Sequence, residues 1–355
     1  AIQNGHVEVA LILLEQVRNV HLEDDSGNNP LHYAARMGLF DIVLNILTKA
    51  IDPNKQNMNG QTPLMLAIRN GHIKVVMLLL TKVRDFNQSD ADGDILLHYA
   101  TEKGLLKIVK ILLLKTINPN KQNTWGFTPL MLAIQNGHVK VAITILMKVP
   151  NIDFDQCDAD DNTLLHYAAK KGLLVIVKIL LLNTSNANKP NKRRHTPLLL
   201  AIQNGHVDVA MMLLGNVPGI DFDQCVVDDN TLLHHAAEKG LLQIVERLLL
   251  GNCDANKPNR SSRTPLILAI QNGHVEVAKA LLRRVGIIDQ MDGYGDSLLH
   301  FAAKHGLIDI VRLIFTKTAR INEPNSMGQT PHMLAERYGH HDVAQLLSDW
   351  AFFVC

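Results

Sequence analysis

Apolar residues along this chain fall into pairs of short helical stripes, separated by polar segments rich in Asn and Asp. In one pair, Leu130, Leu132 and Ala133 give a first stripe an apolar face. Val139-Lys140-Val141-Ala142-Ile143-Thr144-Ile145-Leu146 then carries apolar residues at helical spacing. The polar punctuation predicts where each helix starts and stops. Thr128 before Pro129 suits a helix start, because Thr caps and Pro lacks only an N–H that has no intrahelical partner there. Gly137 supplies a left-handed residue that ends the first helix and reverses the chain. Asn118-Pro119-Asn120-Lys121-Gln122-Asn123 reads as turns leading into an exposed hairpin-like loop.

The unit repeats. Thr62-Pro63-Leu64 through Gly71-His72 returns at Thr128 to His138, Thr196 to His206, Thr264 to His274 and Thr330 to His340. Between these lies a sister version, Leu97-His98-Tyr99-Ala100 through Gly104-Leu105, with counterparts at Leu165-His166, Leu233-His234 and Leu299-His300. Glycines stand at 5, 38, 71, 104, 137, 172, 205, 240, 273, 306 and 339, in steps of 33 except for two of 35. The longer steps place extra residues near Val149-Pro150-Asn151 and Val217-Pro218-Gly219, which should push the following tips outward or alter curvature. No single repeat can bury its own apolar face, so stacking must supply the core.

This pattern resembles the ankyrin repeat, whose marks are a period near 33 and a T-P-L-H-x-A core. The resemblance covers essentially all 355 residues in eleven copies. It implies an all-α fold, a solenoid of stacked helix-turn-helix units with hairpin-like loops. The expected organisation is one elongated domain, 1–355, with a partial repeat at 1–23, repeats over 24–348 and an apolar C-terminal end at 349–355. Ala1 to His6 begins midway through a first helix, so the chain is expected to be cut from a longer protein. Alternation of the two repeat types suggests duplication of repeat pairs.

Composition agrees, at 47% hydrophobic but 5% aromatic. A net charge of +1 argues against a molecule-wide basic field for nucleic acid. Apolar runs such as Ile111-Leu112-Leu113-Leu114 are too short to span a bilayer. Cys157 and Cys225 occupy equivalent places two repeats apart, about 20 Å at roughly 10 Å per layer, whereas a disulfide needs Cα atoms within about 7 Å. Free thiols fit an intracellular, cytoplasmic setting; Asn-X-Ser/Thr triplets at Asn87, Asn183 and Asn259 are compatible with secretion.

The search for chemistry finds structure. Eleven of the 17 histidines are repeat letters, read as polar groups bonding loop backbone between repeats. His234-His235 and His340-His341 lack Cys or carboxylate partners at zinc spacing. Asp90-Ala91-Asp92-Gly93-Asp94 resembles a calcium loop, but its glycine is fourth rather than sixth and Thr101 stands where Glu is needed. Gly293-Tyr294-Gly295 has no preceding strand and is no phosphate loop. With no nucleophile motif, no metal site and no cofactor site, the chain reads as non-catalytic.

Function then lies in positions the repeat leaves free. The resemblance implies that a protein partner binds the hairpin tips and the concave face of the first helices, with the chain a monomeric scaffold. Trp125 and Phe127 are large aromatics on one tip, suited to an interface, unless one ring folds back over the neighbouring tip. Lys192, Arg193 and Arg194 on one tip, and Arg260 and Arg263 on another, would grip an acidic segment. The competing reading pairs them with the acidic tips at Asp158 to Asp161 and Asp228-Asp229. Arg194 and Ser262 stand where other tips carry Gly60, Gly93, Gly126 or Gly328, a departure that a changed turn type would also explain. On the helix face Lys170, Lys171 and Lys304 precede or flank glycines, and Tyr294 is a further tip aromatic. Tyr33, Tyr99, Tyr167, His235 and Phe301, one every second layer, are expected to pack between helices. The end from Asp349 to Cys355 caps the stack, begins another domain or docks a partner. Two other classes are a recruiting or targeting module of a larger enzyme, channel or host-directed effector, and an acidic-polymer binder with steep salt dependence.

Overall fold

The computed structural model describes every residue except 1, 3, 4, 17–21, 50, 226, 252, 287, 319 and 355, and in addition leaves undescribed the side chains of 15, 227 and 351–354. Among the described residues the regular structure is helical. Three isolated antiparallel bridges, Ser89–Ile95, Cys157–Thr163 and Met291–Ser297, take the place of strands. The repeats group into two compact units, residues 1–185 and 186–355. Each is an all-α stack of helix-turn-helix repeats.

One repeat shows why these residues fold so. Thr128 is extended (φ −91°, ψ 160°), and its Oγ1 accepts from the Met131 N–H at 3.2 Å. Pro129 opens the helix Pro129–Gln135. Thr62, Thr196, Thr264 and Thr330 cap their helices the same way. Gly137, at φ 76°, turns the chain into the second helix, Val139–Lys148. Val141, Ala142 and Ile145 face inward and are buried. A fully buried Ile or Val contributes about 1.5–3 kcal/mol, which recurs in every layer.

The two repeat types close their first helices differently. In the Thr-Pro type, except the last copy with Tyr338, the residue before the glycine is an Asn that caps its own helix: the Nδ2 groups of Asn70, Asn136 and Asn272 donate to the carbonyls of Leu66, Leu132 and Leu268 at 2.8, 2.9 and 2.8 Å. The sister type has no such Asn. Its helix end is closed by a His from the following repeat: Nε2 of His72, His138, His274 and His340 lies 2.9, 2.9, 3.0 and 3.1 Å from the carbonyls of Arg36, Glu102, Glu238 and Lys304. That imidazole crosses directly over the sister glycine. A Cβ on Gly104 would sit 2.5 Å from Nδ1 of His138, whereas Gly71 and Gly137 face open space.

The second histidine class seals the loops. The backbone N–H groups of Ile95 and Thr231 donate to Nδ1 of His98 and His234, both at 3.1 Å, which leaves Nε2–H to donate to the carbonyls of Phe127 and Arg263 at 3.0 and 3.1 Å. His32 and His300 bridge to Gln61 and Gln329 in the same manner.

The longer steps are absorbed locally. Asn151 (φ 54°) and Gly219 (φ 67°) make left-handed turns within the extra residues. The tip after Asn151 is not displaced outward: the Ala159 N–H donates to the Trp125 carbonyl at 2.9 Å, as Thr124 does to Asp92 at 2.8 Å. At the C-terminus the helix His341–Val354 continues the stack, and the Trp350 ring lies 4.9 Å from Phe315, so this part of the apolar end folds back. Cys355 lies outside the described residues.

Candidate interaction surface

The described tips other than the one before Thr231 are organised by an Asn or Asp whose carboxamide or carboxylate oxygen accepts two backbone N–H groups, from the residues two and four further on. Asn123 holds Trp125 and Phe127 at 3.0 and 2.9 Å; Asn191 holds Arg193 and His195 at 3.0 and 2.9 Å; Asp292 holds Tyr294 and Asp296 at 2.8 and 3.1 Å. Successive tips are tied by backbone bonds, Arg260 to Asp228 at 3.0 Å and Ser326 to Tyr294 at 3.0 Å in the second unit.

This frame separates outward from inward positions. Side chains two residues past the Asx project into solvent: Trp125 is 61% exposed and Tyr294 62%, and Arg193 is exposed as well. Side chains four past it lean on the next repeat. Phe127 is half-buried with its ring 5.8 Å from Tyr167. Gln61 donates to the Tyr99 hydroxyl at 3.3 Å, and the Arg263 guanidinium lies 3.4 Å from the buried Asp292 carboxylate. One ring of the aromatic tip therefore folds back and the other does not.

Lys192, Arg193 and Arg194 are exposed. Arg194 holds φ 63° and Ser262 φ 59°, the left-handed conformation that glycine takes at Gly60, Gly93, Gly126 and Gly328. The turn type is thus unchanged, and the non-glycine residues carry its strain, on the order of 1–3 kcal/mol each. Arg260 stands 3.9 Å from both Asp228 and Asp229, so the adjacent acidic and basic tips of the second unit do pair. At such exposure this pairing is weak. On the first helices Lys170 and Lys171 are exposed, while Lys304 is half-buried with Nζ 5.4 Å from the Tyr338 ring. Tyr99, Tyr167 and Phe301 are buried. The Tyr99 and Tyr167 hydroxyls donate to Asp90 and Asp158, and burial with these bonds pushes both phenols up.

Burial pushes His98 and His234 down to about 4, so both are neutral near pH 7. The 3.9 Å approach of His98 to Asp94 is accordingly not an ion pair, and burial raises Asp94 to about 6. Among the described residues no three His, Cys, Asp or Glu side chains converge as a metal site, and Cys157, Cys225 and Cys253 form no disulfide. No described helix is long and apolar enough to cross a membrane.

The family described as "Ankyrin repeats (3 copies)" matches in overlapping segments, 1–57, 43–123, 97–190, 130–224, 171–251, 198–292, 233–325 and 285–351. Similar proteins include the ankyrin repeat and KH domain-containing protein mask-1 of Caenorhabditis elegans, 31% identical over 44% of this chain and 6% of that protein. A transient receptor potential cation channel subfamily A member 1 homolog from the same organism is 27% identical over 53% of this chain and 15% of its own length. E3 ubiquitin-protein ligase XBAT33 of Arabidopsis thaliana is 32% identical over 45% of this chain and 30% of its own. The chain therefore spans less than a third of each of these three relatives.

Proposed function

The chain belongs to the ankyrin repeat family, a fold of protein-interaction modules, and we propose that it acts without catalysis as a scaffold gripping a partner along its tips and first-helix face. The observation that carries this reading is the outward row. The side chains of Trp125 in the first unit, and of Arg193, Arg194 and Tyr294 in the second, project away from the stack, and Arg194 even strains it. Aromatic and Arg side chains are those that most often anchor an interface. The proposal extends to Lys170 and Lys171 in the first unit, and to Lys192, Arg260 and Lys304 in the second. Phe127 and Arg263 hold their neighbours in place. The arginines suit a partner segment bearing carboxylates. The chain is proposed to work as a monomer in a reducing, cytoplasmic compartment, in keeping with Cys157, Cys225 and Cys253, which form no disulfide.

The test compares proteins captured from lysate by the chain and by a variant carrying Trp125→Ala, Arg193→Glu and Arg194→Glu, with circular dichroism showing that both fold. A partner held by the first and lost by the second supports the reading. Equal capture removes the tips from it. A second reading, a recruiting module of a larger enzyme or channel, is favoured by the ligase and the channel among the relatives, of whose lengths the chain spans a minor share. Joining the module to its flanking sequence and finding partners only then would select it.

A further inference from the structure

The net charge of +1 conceals a face of one sign. In the first unit, four consecutive second helices with their closing turns, residues 73–84, 106–117, 139–150 and 174–185, contain no Asp or Glu. They carry Lys74, Lys82, Arg84, Lys107, Lys110, Lys115, Lys140, Lys148 and Lys178, all exposed. Among the described residues none of these nine cations is within ion-pair distance of a carboxylate; Lys115 lies 4.6 Å over the Phe86 ring. The nearest carboxylates in sequence, Asp85 and Asp153, accept from the backbone N–H groups of Asn87 and Asp155 in their own loops, at 2.9 and 3.0 Å.

The same face carries protruding apolar side chains. Leu114, Met147 and Leu182 occupy one position in three successive repeats and are 82%, 81% and 86% exposed; Ile117 beside them is 85% exposed. Nothing in the fold uses them. Exposed large apolar groups in register, rimmed by cations, mark an interaction site.

We propose that this face of the first unit docks on an anionic lipid surface, with Leu114, Ile117, Met147 and Leu182 entering the interface and the lysines meeting lipid headgroups. The charge is complementary, since an anionic leaflet attracts Lys and Arg clusters near it. The protrusion selects lipid over other polyanions. A bilayer interface accepts apolar side chains at any spacing, whereas a folded acidic protein needs a socket for each, and nucleic acid phosphates offer them nothing. This surface lies on the second helices, apart from the tips, so either reading stands or falls alone.

The experiment is co-sedimentation of the full chain with vesicles of phosphatidylcholine mixed with phosphatidylserine, against vesicles of phosphatidylcholine alone. Binding to the mixed vesicles only, weakened by salt, is expected. Lys107→Glu with Lys140→Glu should weaken it about tenfold or more, and so should Leu114→Ser with Met147→Ser and Leu182→Ser. All five sites are exposed, so circular dichroism should be unchanged. Absence of partitioning, equal partitioning onto neutral vesicles, or binding indifferent to either variant would overturn the proposal. Binding of soluble polyglutamate without vesicle partitioning would overturn it in favour of an acidic protein.

Discussion

The second helices of the two units share one backbone plan and differ in their charge. In the first unit, four successive copies carry cations without a single acid. In the second, Asp208, Glu246, Glu276 and Asp309 alternate with Arg247, Lys279, Arg283, Arg312 and Lys317. There Lys279 lies 2.9 Å from Glu276 and 3.6 Å from Asp309, so on this face acids stand beside cations. The buried positions do not differ in kind: Ile108, Val109 and Leu112 in one unit match Ile244, Val245 and Leu248 in the other, all fully buried. Stacking dictates the inward residues and leaves the outward ones free, so a difference confined to the outside answers to something the fold does not need.

Acid should act on both units through the same buried histidine, which tests whether their scaffold is truly shared. His98 and His234 are held at about 4 when folded, against 6.5 in the unfolded chain. Below pH 6.5 the unfolded chain binds the proton first, so stability is full above that pH and falls as pH drops to about 4. The loss is about 3 kcal/mol for each histidine. In the first unit Asp94 opposes it: held at about 6 when folded against 3.8 unfolded, its carboxyl takes up a proton first in the folded chain as pH falls. Asn230 stands at that place beside His234. Urea denaturation between pH 7 and 4 should show the histidine loss, and His98→Gln with His234→Gln should flatten the profile while lowering stability at pH 7. A profile unchanged by these substitutions would break the equivalence.

Gly104→Ala in the first unit and Gly240→Ala in the second should cost about equally, on the order of 3 kcal/mol. Each adds left-handed strain and drives a Cβ into the following repeat's histidine, at 2.5 and 2.6 Å. Gly71→Ala, with open space around it, should cost only the strain, about 1–2 kcal/mol. Urea midpoints measure the difference. Arg194→Gly should raise stability by about 1 kcal/mol, and under the proposed function it should weaken partner capture. Smallest in stability is the exchange that makes the outer faces alike: Asp208→Lys, Glu246→Lys, Glu276→Lys and Asp309→Lys should change stability little, about 0.5 kcal/mol per site, read from the thermal midpoint. Lacking the row of protruding apolar side chains, this variant's second unit should add little vesicle binding, which sharpens what the first unit owes to Leu114, Met147 and Leu182.

The sequence made the repeat, the Thr-Pro caps and the left-handed glycines legible, because each rests on residues close in the chain; the loop-bonding histidines were legible only through their recurrence. What it left dark depends on contacts one repeat apart. Trp125 and Phe127 look equivalent in the string, yet a two-residue offset on the Asn123 frame sends one ring to solvent and the other onto Tyr167. The histidine after the glycine looks the same in every Thr-Pro repeat, but its carbonyl partner lies 36 residues back. Arg194 and Ser262 read equally as a new turn type, and only the backbone angles show the old turn retained. The cationic face was present in the letters all along, as the absence of Asp and Glu from four windows. A near-zero total charge hid it.

The alternation of self-closed and neighbour-closed helices gives the molecule a parity. Each sister repeat borrows a helix-closing histidine from the Thr-Pro repeat after it, and carries Leu rather than His at that place itself. Excising a single Thr-Pro repeat would bring two borrowers together and leave a helix-end carbonyl without its donor. Excising an adjoining couple would restore every bond. Recombination within such a gene would therefore preserve the fold when it counts by twos, and lengthening or shortening by an even number of repeats is the cheap route by which this stack can change its reach.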